Sequence, residues 1–163
     1  MIIVKKSGYL IFDNFKFLCT FGKNGIKKNK VEGDNATPKG VFKLNKVFYR
    51  SDRIKKIKTI LKKSKITNNM GWCDDPKSKF YNKKILLPSK FKCEKLYRKD
   101  SIYDIIVVLN YNIKPTIINK GSAIFMHIAR SGLKPTKGCI ALKKKDLLFL
   151  LSIIKKNTYI SIG

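Results

Sequence analysis

The run Ile105-Ile106-Val107-Val108-Leu109 constrains the fold of this chain more than any other stretch. Five adjacent apolar residues, four of them β-branched, suit an extended strand that is buried and central in its sheet. Much of the chain reads the same way in shorter pieces. Met1–Val4, Tyr9–Phe12 and Lys16–Phe21 are apolar or β-branched runs, separated by turn formers such as Lys6-Ser7-Gly8 and Asp13-Asn14. From Glu32 to Gly40 the residues Gly, Asp, Asn and Pro favour a tight loop, which Glu32 and Asp34 shape, and a strand resumes over Val41–Phe48. Ala123–Ala129 and Tyr159–Ile162 add two more strands, and Asp146–Ile154 carries the leucine-rich face of a helix. Residues 51–63 place Ile54, Ile57, Ile60 and Leu61 on one helical face with Ser51 as its cap; an extended surface strap is the competing reading. Met70–Asn82, which holds the single tryptophan, reads as loop. No repeat, linker or boundary divides the chain. The expectation is one mainly β domain over residues 1–163 with a late helix.

Charge is the next constraint. Lys and Arg number 37 against 10 Asp and Glu, a net charge of +27. A field of that size draws polyanions: nucleic acid, anionic lipid or an acidic wall polymer. Only four of the 37 are arginines (Arg50, Arg53, Arg98 and Arg130), the residue best suited to bidentate phosphate and guanine recognition. The lysines are spread along the whole chain, and no nucleic-acid-binding signature accompanies them. They read as a solvated surface, with no specific nucleic acid expected as partner. Cys19, Cys73, Cys93 and Cys139 include no C-x-x-C pair, and there is one histidine, so neither a metal site nor any other cofactor is expected. Free thiols are the expectation. Neither a signal peptide nor a transmembrane run is visible.

The informative segment joins Ser122-Ala123-Ile124-Phe125-Met126-His127-Ile128-Ala129-Arg130 to Thr136-Lys137-Gly138-Cys139-Ile140-Ala141-Leu142. Side chains alternate along a strand, so Phe125 and His127 share a face opposite Met126 and Ile128. A loop with Ser131-Gly132 and Lys134-Pro135 then returns the chain, and Cys139 arrives twelve residues after His127. A cysteine is mostly thiol at neutral pH, and an adjacent imidazole can take its proton. Gly138 permits a backbone geometry that aims N–H groups at a developing oxyanion. By residue type alone a packed, hydrogen-bonded core histidine stands beside the catalytic reading.

Motifs along nearly the whole chain carry a resemblance. They are Gly22-Lys23-Asn24-Gly25, Lys30-Val31-Glu32-Gly33-Asp34-Asn35-Ala36-Thr37-Pro38-Lys39-Gly40-Val41-Phe42, Tyr49-Arg50-Ser51-Asp52-Arg53, and Gly71-Trp72-Cys73-Asp74-Asp75-Pro76 with Tyr81-Asn82. Tyr103-Asp104 leading into Val107–Asn112, and Gly121–His127 through Thr136-Lys137-Gly138-Cys139, follow in order. The chain resembles the L,D-transpeptidase catalytic domain (YkuD-type) family, in its compact branch. The resemblance implies a β-barrel or sandwich of mixed sheets with a C-terminal helix. It implies Cys139 as nucleophile, His127 as base, the Ile128 carbonyl orienting the imidazole, and the backbone N–H groups of Gly138 and Cys139 as oxyanion hole. Arg130 is a candidate substrate contact or a plain surface or ion-pair residue; Trp72, Asp74 and Tyr81 are candidate cleft residues, with buried aromatics and a turn-forming aspartate as the competing reading. The partners it implies are peptidoglycan stem peptides, as donor and acceptor, for a monomeric enzyme in the cell envelope or periplasm that a carbapenem acylates; the lack of a visible signal leaves a cytoplasmic location open. An L,D-carboxypeptidase or endopeptidase on the same peptides is the nearest alternative, and an inactive basic binding module the next. Lys137 stands where many relatives carry a second histidine, and Ala141 where many carry Arg or Asn, so the acyl pocket differs from theirs.

Overall fold

The computed structural model describes residues 1–163. Its first three strands, β1 (Ile2–Lys5), β2 (Tyr9–Phe12) and β3 (Phe15–Thr20), form an antiparallel meander. The loop ahead of β6 (Gly40–Tyr49) contains the two-residue strands β4 (Ile26–Lys27) and β5 (Thr37–Pro38). After β6 come β7 (Lys62–Lys65), β8 (Met70–Cys73), β9 (Lys84–Leu86) and β10 (Cys93–Lys95). The chain finishes with β11 (Ile105–Leu109), β12 (Phe125–Ile128), β13 (Ile140–Leu142), the helix α1 (Lys144–Ile153) and β14 (Tyr159–Ile162).

The main sheet runs β11-β12-β13-β3-β2-β1-β14-β6, and β6 pairs back onto β11, so the sheet closes into a barrel. Its pairings are mixed: β1 with β14 and β12 with β13 are parallel, and the other neighbours are antiparallel. Strand β6 is long enough to make this closure, meeting β14 over Gly40–Lys43 and β11 over Leu44–Tyr49. The barrel interior is apolar, with Val4, Leu10, Val47, Met126, Ile140 and Ile160 fully buried, and α1 adds Leu147, Leu150 and Leu151 to the same core.

A second core lies on the outer face of the barrel wall. The excursion from Ile66 to Tyr103 covers that face with a three-stranded sheet in the order β10-β8-β9. This explains the apolar run in β11. Ile105, Val107 and Leu109 point into the barrel while Ile106 and Val108 pack under the excursion, so all five are buried. Each such side chain removed from water stabilises the fold by about 1.5–3 kcal/mol.

Two segments depart from expectation. Residues 51–63 form the strap, not the helix. A single turn closes with Ile54 N–H donating to the Arg50 carbonyl at 2.8 Å, and the chain then extends. Ile54 and Ile57 are buried, but Ile60 is 61% exposed, so the third residue of the supposed face points to water. The free edge of β6 outcompetes a lysine-crowded helix: β7 adds to it in parallel over Lys46–Tyr49. The second departure is Met70–Cys73, expected as loop, which is the central strand β8. Four residues including Gly71 and Trp72 are too short to show alternation, and their pairing with β9 and β10 is non-local.

Candidate active site

Strands β12 and β13 run side by side in parallel, with His127 beside Ala141 and Met126 beside Ile140. One residue earlier on each strand, Phe125 and Cys139 are neighbours, and the Phe125 N–H reaches Cys139 Sγ at 3.4 Å. The two-residue period therefore puts Cys139 and His127 on one face as diagonal neighbours. It is the outer face of the barrel: Phe125 and Cys139 belong to the second core while Met126, Ile128 and Ile140 belong to the first.

The histidine is held from behind. Its Nδ1 lies 2.9 Å from the Ile128 carbonyl, where the resemblance placed the orienting group. A carbonyl only accepts, so Nδ1 carries the proton and Nε2 keeps its lone pair. Tyr103 packs edge-on against the ring at 5.2 Å, and its hydroxyl donates to Glu94 at 2.7 Å. Burial lowers the His127 pKa to about 4, against an opposing effect of the Ile128 carbonyl, and the charges of Arg130 and Arg98 add to the lowering. Burial also pushes the Cys139 thiol up to about 12. Its Sγ donates to the Ala123 carbonyl at 3.2 Å, and no hydrogen bond joins it to His127. At rest the pair is a neutral thiol and a neutral imidazole.

Gly138 is required by its surroundings. Its φ is 136°, and a Cβ there would stand 2.8 Å from the Ala36 carbonyl oxygen. The Thr37 hydroxyl accepts from Gly22 N–H and donates to the Gly138 carbonyl, tying the 22–40 loops to the turn that carries Cys139. The Gly138 N–H, expected in the oxyanion hole, donates instead to Thr136 Oγ1 at 3.1 Å. The Cys139 N–H has no protein acceptor. In the Lys30–Thr37 loop, Asp34 accepts from Lys30 Nζ, Val31 N–H and Ala36 N–H, and Glu32 accepts from the Tyr81 hydroxyl. Both acids organise the loop, as their positions in it suggest.

A model of the YkuD family, described as the L,D-transpeptidase catalytic domain, matches residues 1–162. The chain belongs to that family. Among solved structures it is similar to the helical cell shape determining protein Pgp2 from Campylobacter jejuni, with 17% identity and a TM-score of 0.53. That likeness covers 99% of this chain and 46% of Pgp2, so the chain spans about half of that protein, and it establishes the fold. No curated protein matches the chain.

In this YkuD domain Cys139 and His127 both line a cleft of about 560 Å³. Arg130 lines it too, exposed and without an ion pair, as does Asp74, whose carboxyl is raised by burial although Lys92 opposes this. Trp72 and Tyr81 are not among the lining residues. Trp72 is buried, packed edge-on to Phe125 with its indole N–H on Asn82, and Tyr81 is bonded to Glu32 and the Gly121 N–H. Both serve as packing behind the cleft, because an indole and a phenol bury well once their polar tips are bonded. Sequence reading missed Lys30, Glu94, Arg98 and Tyr103, which line the cleft from the loop before β5 and from the excursion. Their one signal was that Lys30 and Tyr103 fall inside family-like motifs. No group of three or more His, Cys, Asp or Glu residues is placed to hold a metal, and no helix is long and apolar enough to cross a membrane.

Proposed function

We propose that this protein is a cysteine-dependent L,D-transpeptidase of peptidoglycan stem peptides, working through a thioester on Cys139. The observation that supports this most is the pairing of β12 with β13, which sets Cys139 beside a histidine pinned by the Ile128 carbonyl at one cleft. A neutral imidazole with Nε2 free is the form a general base requires.

The thiol first turns from the Ala123 carbonyl toward Nε2. His127 takes the proton as sulfur attacks the carbonyl carbon after the L-centre of the donor's diamino acid. The tetrahedral intermediate then collapses, breaking the C–N bond, and the departing D-amino acid takes the proton from His127. An acceptor amine attacks the thioester, His127 removes its proton, and that proton returns to the Cys139 sulfur. Because thiol and imidazole are both neutral before substrate binds, proton transfer accompanies attack rather than preceding it. Arg130, which lines the cleft, holds a stem carboxylate in this reading, for which a planar guanidinium offers two parallel donors. Such an enzyme works in the cell envelope, where its substrate lies.

Intact-mass measurement after incubation with a carbapenem, and separately with a tetrapeptide stem, tests the reading. Wild type is expected to gain the acyl mass and Cys139→Ala to stay unmodified. Adding an acceptor stem should give a crosslinked peptide; hydrolysed donor alone would assign the chemistry to a carboxypeptidase. Folded wild type that is acylated by neither reagent would refute the enzyme and favour a binding module.

A further inference from the structure

Beside the nucleophile lies a cation that the cysteine–histidine pair does not use. Lys30 is 4% exposed, although lysine almost never buries unless its charge is met. Asp34 meets it: Nζ donates to Oδ1 at 2.7 Å, with a longer approach to the Val31 carbonyl at 3.4 Å. An ammonium has three donors, so one N–H is left over. The glycines around it show where the side chain runs. A Cβ on Gly121 would stand 2.7 Å from Lys30 Cε, and one on Gly138 would stand 3.6 Å from Nζ. The side chain thus passes under the segment leading into β12 and ends against the residue preceding Cys139. Lys30 also lines the same cleft as Cys139 and His127.

The oxyanion side of this cleft is short of donors. Gly138 has turned its N–H to Thr136, which leaves the Cys139 N–H as the available backbone donor. A tetrahedral oxyanion in a buried site needs fixed donors aimed at it, since water cannot reorganise to solvate it. We propose that Lys30 is a catalytic residue of the acyl transfer, its Nζ donating to the oxyanion together with the Cys139 N–H. Asp34 is the positioning residue. Held by the Val31 and Ala36 N–H groups, it fixes where the ammonium sits. Burial dominates the Cys139 thiol and Glu94 adds to its effect, while the Lys30 charge acts in the opposite sense, which places that charge within electrostatic reach of the sulfur. No covalent step is added. The proposal assigns the stabilisation of the intermediate already described, and it rests on that acyl-transfer reading.

Two reactions of the same sulfur separate this role from a merely structural one. Acylation by a carbapenem passes through an oxyanion; alkylation by iodoacetamide displaces iodide at a saturated carbon and forms none. In Lys30→Met, the single-turnover acylation rate at saturating carbapenem is expected to fall roughly 100- to 1,000-fold, as for loss of one oxyanion donor. Alkylation of Cys139, followed by peptide mass mapping, should change by less than about tenfold, since only the thiolate fraction is affected. The variant Lys30→Met/Asp34→Asn removes both members of the ion pair, so a lone buried carboxylate cannot unfold the protein, and the same selective loss is expected. Acylation within threefold of wild type in either folded variant would overturn the proposal, as would equal losses in both reactions. Wild type acylated by no donor would remove the acyl-transfer reading and this inference together, whereas an acylating wild type with an equally fast Lys30→Met removes this inference alone.

Discussion

Cys139 and His127 meet as neutral groups, and both rest in that state because burial penalises charge. Alkylation of Cys139 by iodoacetamide should therefore climb about tenfold per pH unit from 7 to 10. A plateau below pH 7 would instead reveal a preformed thiolate–imidazolium pair. The same two groups shape stability. His127 falls from 6.5 unfolded to about 4 folded, so its contribution is complete above pH 6.5 and is lost as pH drops toward 4. Cys139 rises from 9.0 to about 12, so its contribution is complete below pH 9.0 and is lost as pH climbs toward 12. Melting temperatures at pH 5, 7.5 and 10.5 are expected to be highest at 7.5. Gly138→Ala forces an L side chain to φ 136° and a Cβ to 2.8 Å from a backbone oxygen. It should cost about 1–3 kcal/mol of stability, visible in denaturant titration, and slow the proposed acylation because the turn that carries Cys139 shifts.

At the scale of elements, the Asn82 side chain hydrogen-bonds the excursion to the segment leading into β12. Asn82, 2% exposed, accepts from the Trp72 indole N–H and the Ala123 N–H, and donates to the carbonyls of Tyr111 and Asn112. Ala123 in turn offers its carbonyl to Cys139 Sγ. Asn82→Ala leaves buried donors on Trp72 and Ala123 unmet, at about 1–3 kcal/mol each. A total loss of about 3–5 kcal/mol is expected in chemical denaturation. Amide hydrogen exchange should speed up in β8 and over residues 121–124 while the β1–β2–β3 meander keeps its protection. Equal loosening of both regions would mean that Asn82 stabilises the fold without fastening these two elements.

Across the whole molecule the net charge of +27 works against compactness, since six ion pairs engage few of the cations. Raising salt from 10 to 150 mM shortens the screening length from about 30 to about 8 Å and weakens that repulsion. The melting temperature is expected to rise over this range; a flat or falling trend would show that the pairs outweigh the repulsion.

Local preference determined much of this protein without help from tertiary contacts. The meander, the strand at β11, the late helix and the closing strand β14 were legible because alternation, β-branching and turn residues act over a few neighbours. The proximity of Cys139 and His127 was legible because two strands a short loop apart can pair and their side-chain period is fixed, while their catalytic reading came from the family likeness. His127 Nδ1 lies 2.9 Å from the Ile128 carbonyl, the contact that the family likeness implied. Other features arise from contacts distant in sequence. The free edge of β6 made residues 51–63 a strap, and cross-strand partners made Met70–Cys73 a strand. Burial of the pair, the turning of the Gly138 N–H to Thr136 and the arrival of Lys30 beside Gly138 were decided only by tertiary structure, because solvent exclusion and the approach of a loop about a hundred residues away leave no periodic mark on the chain.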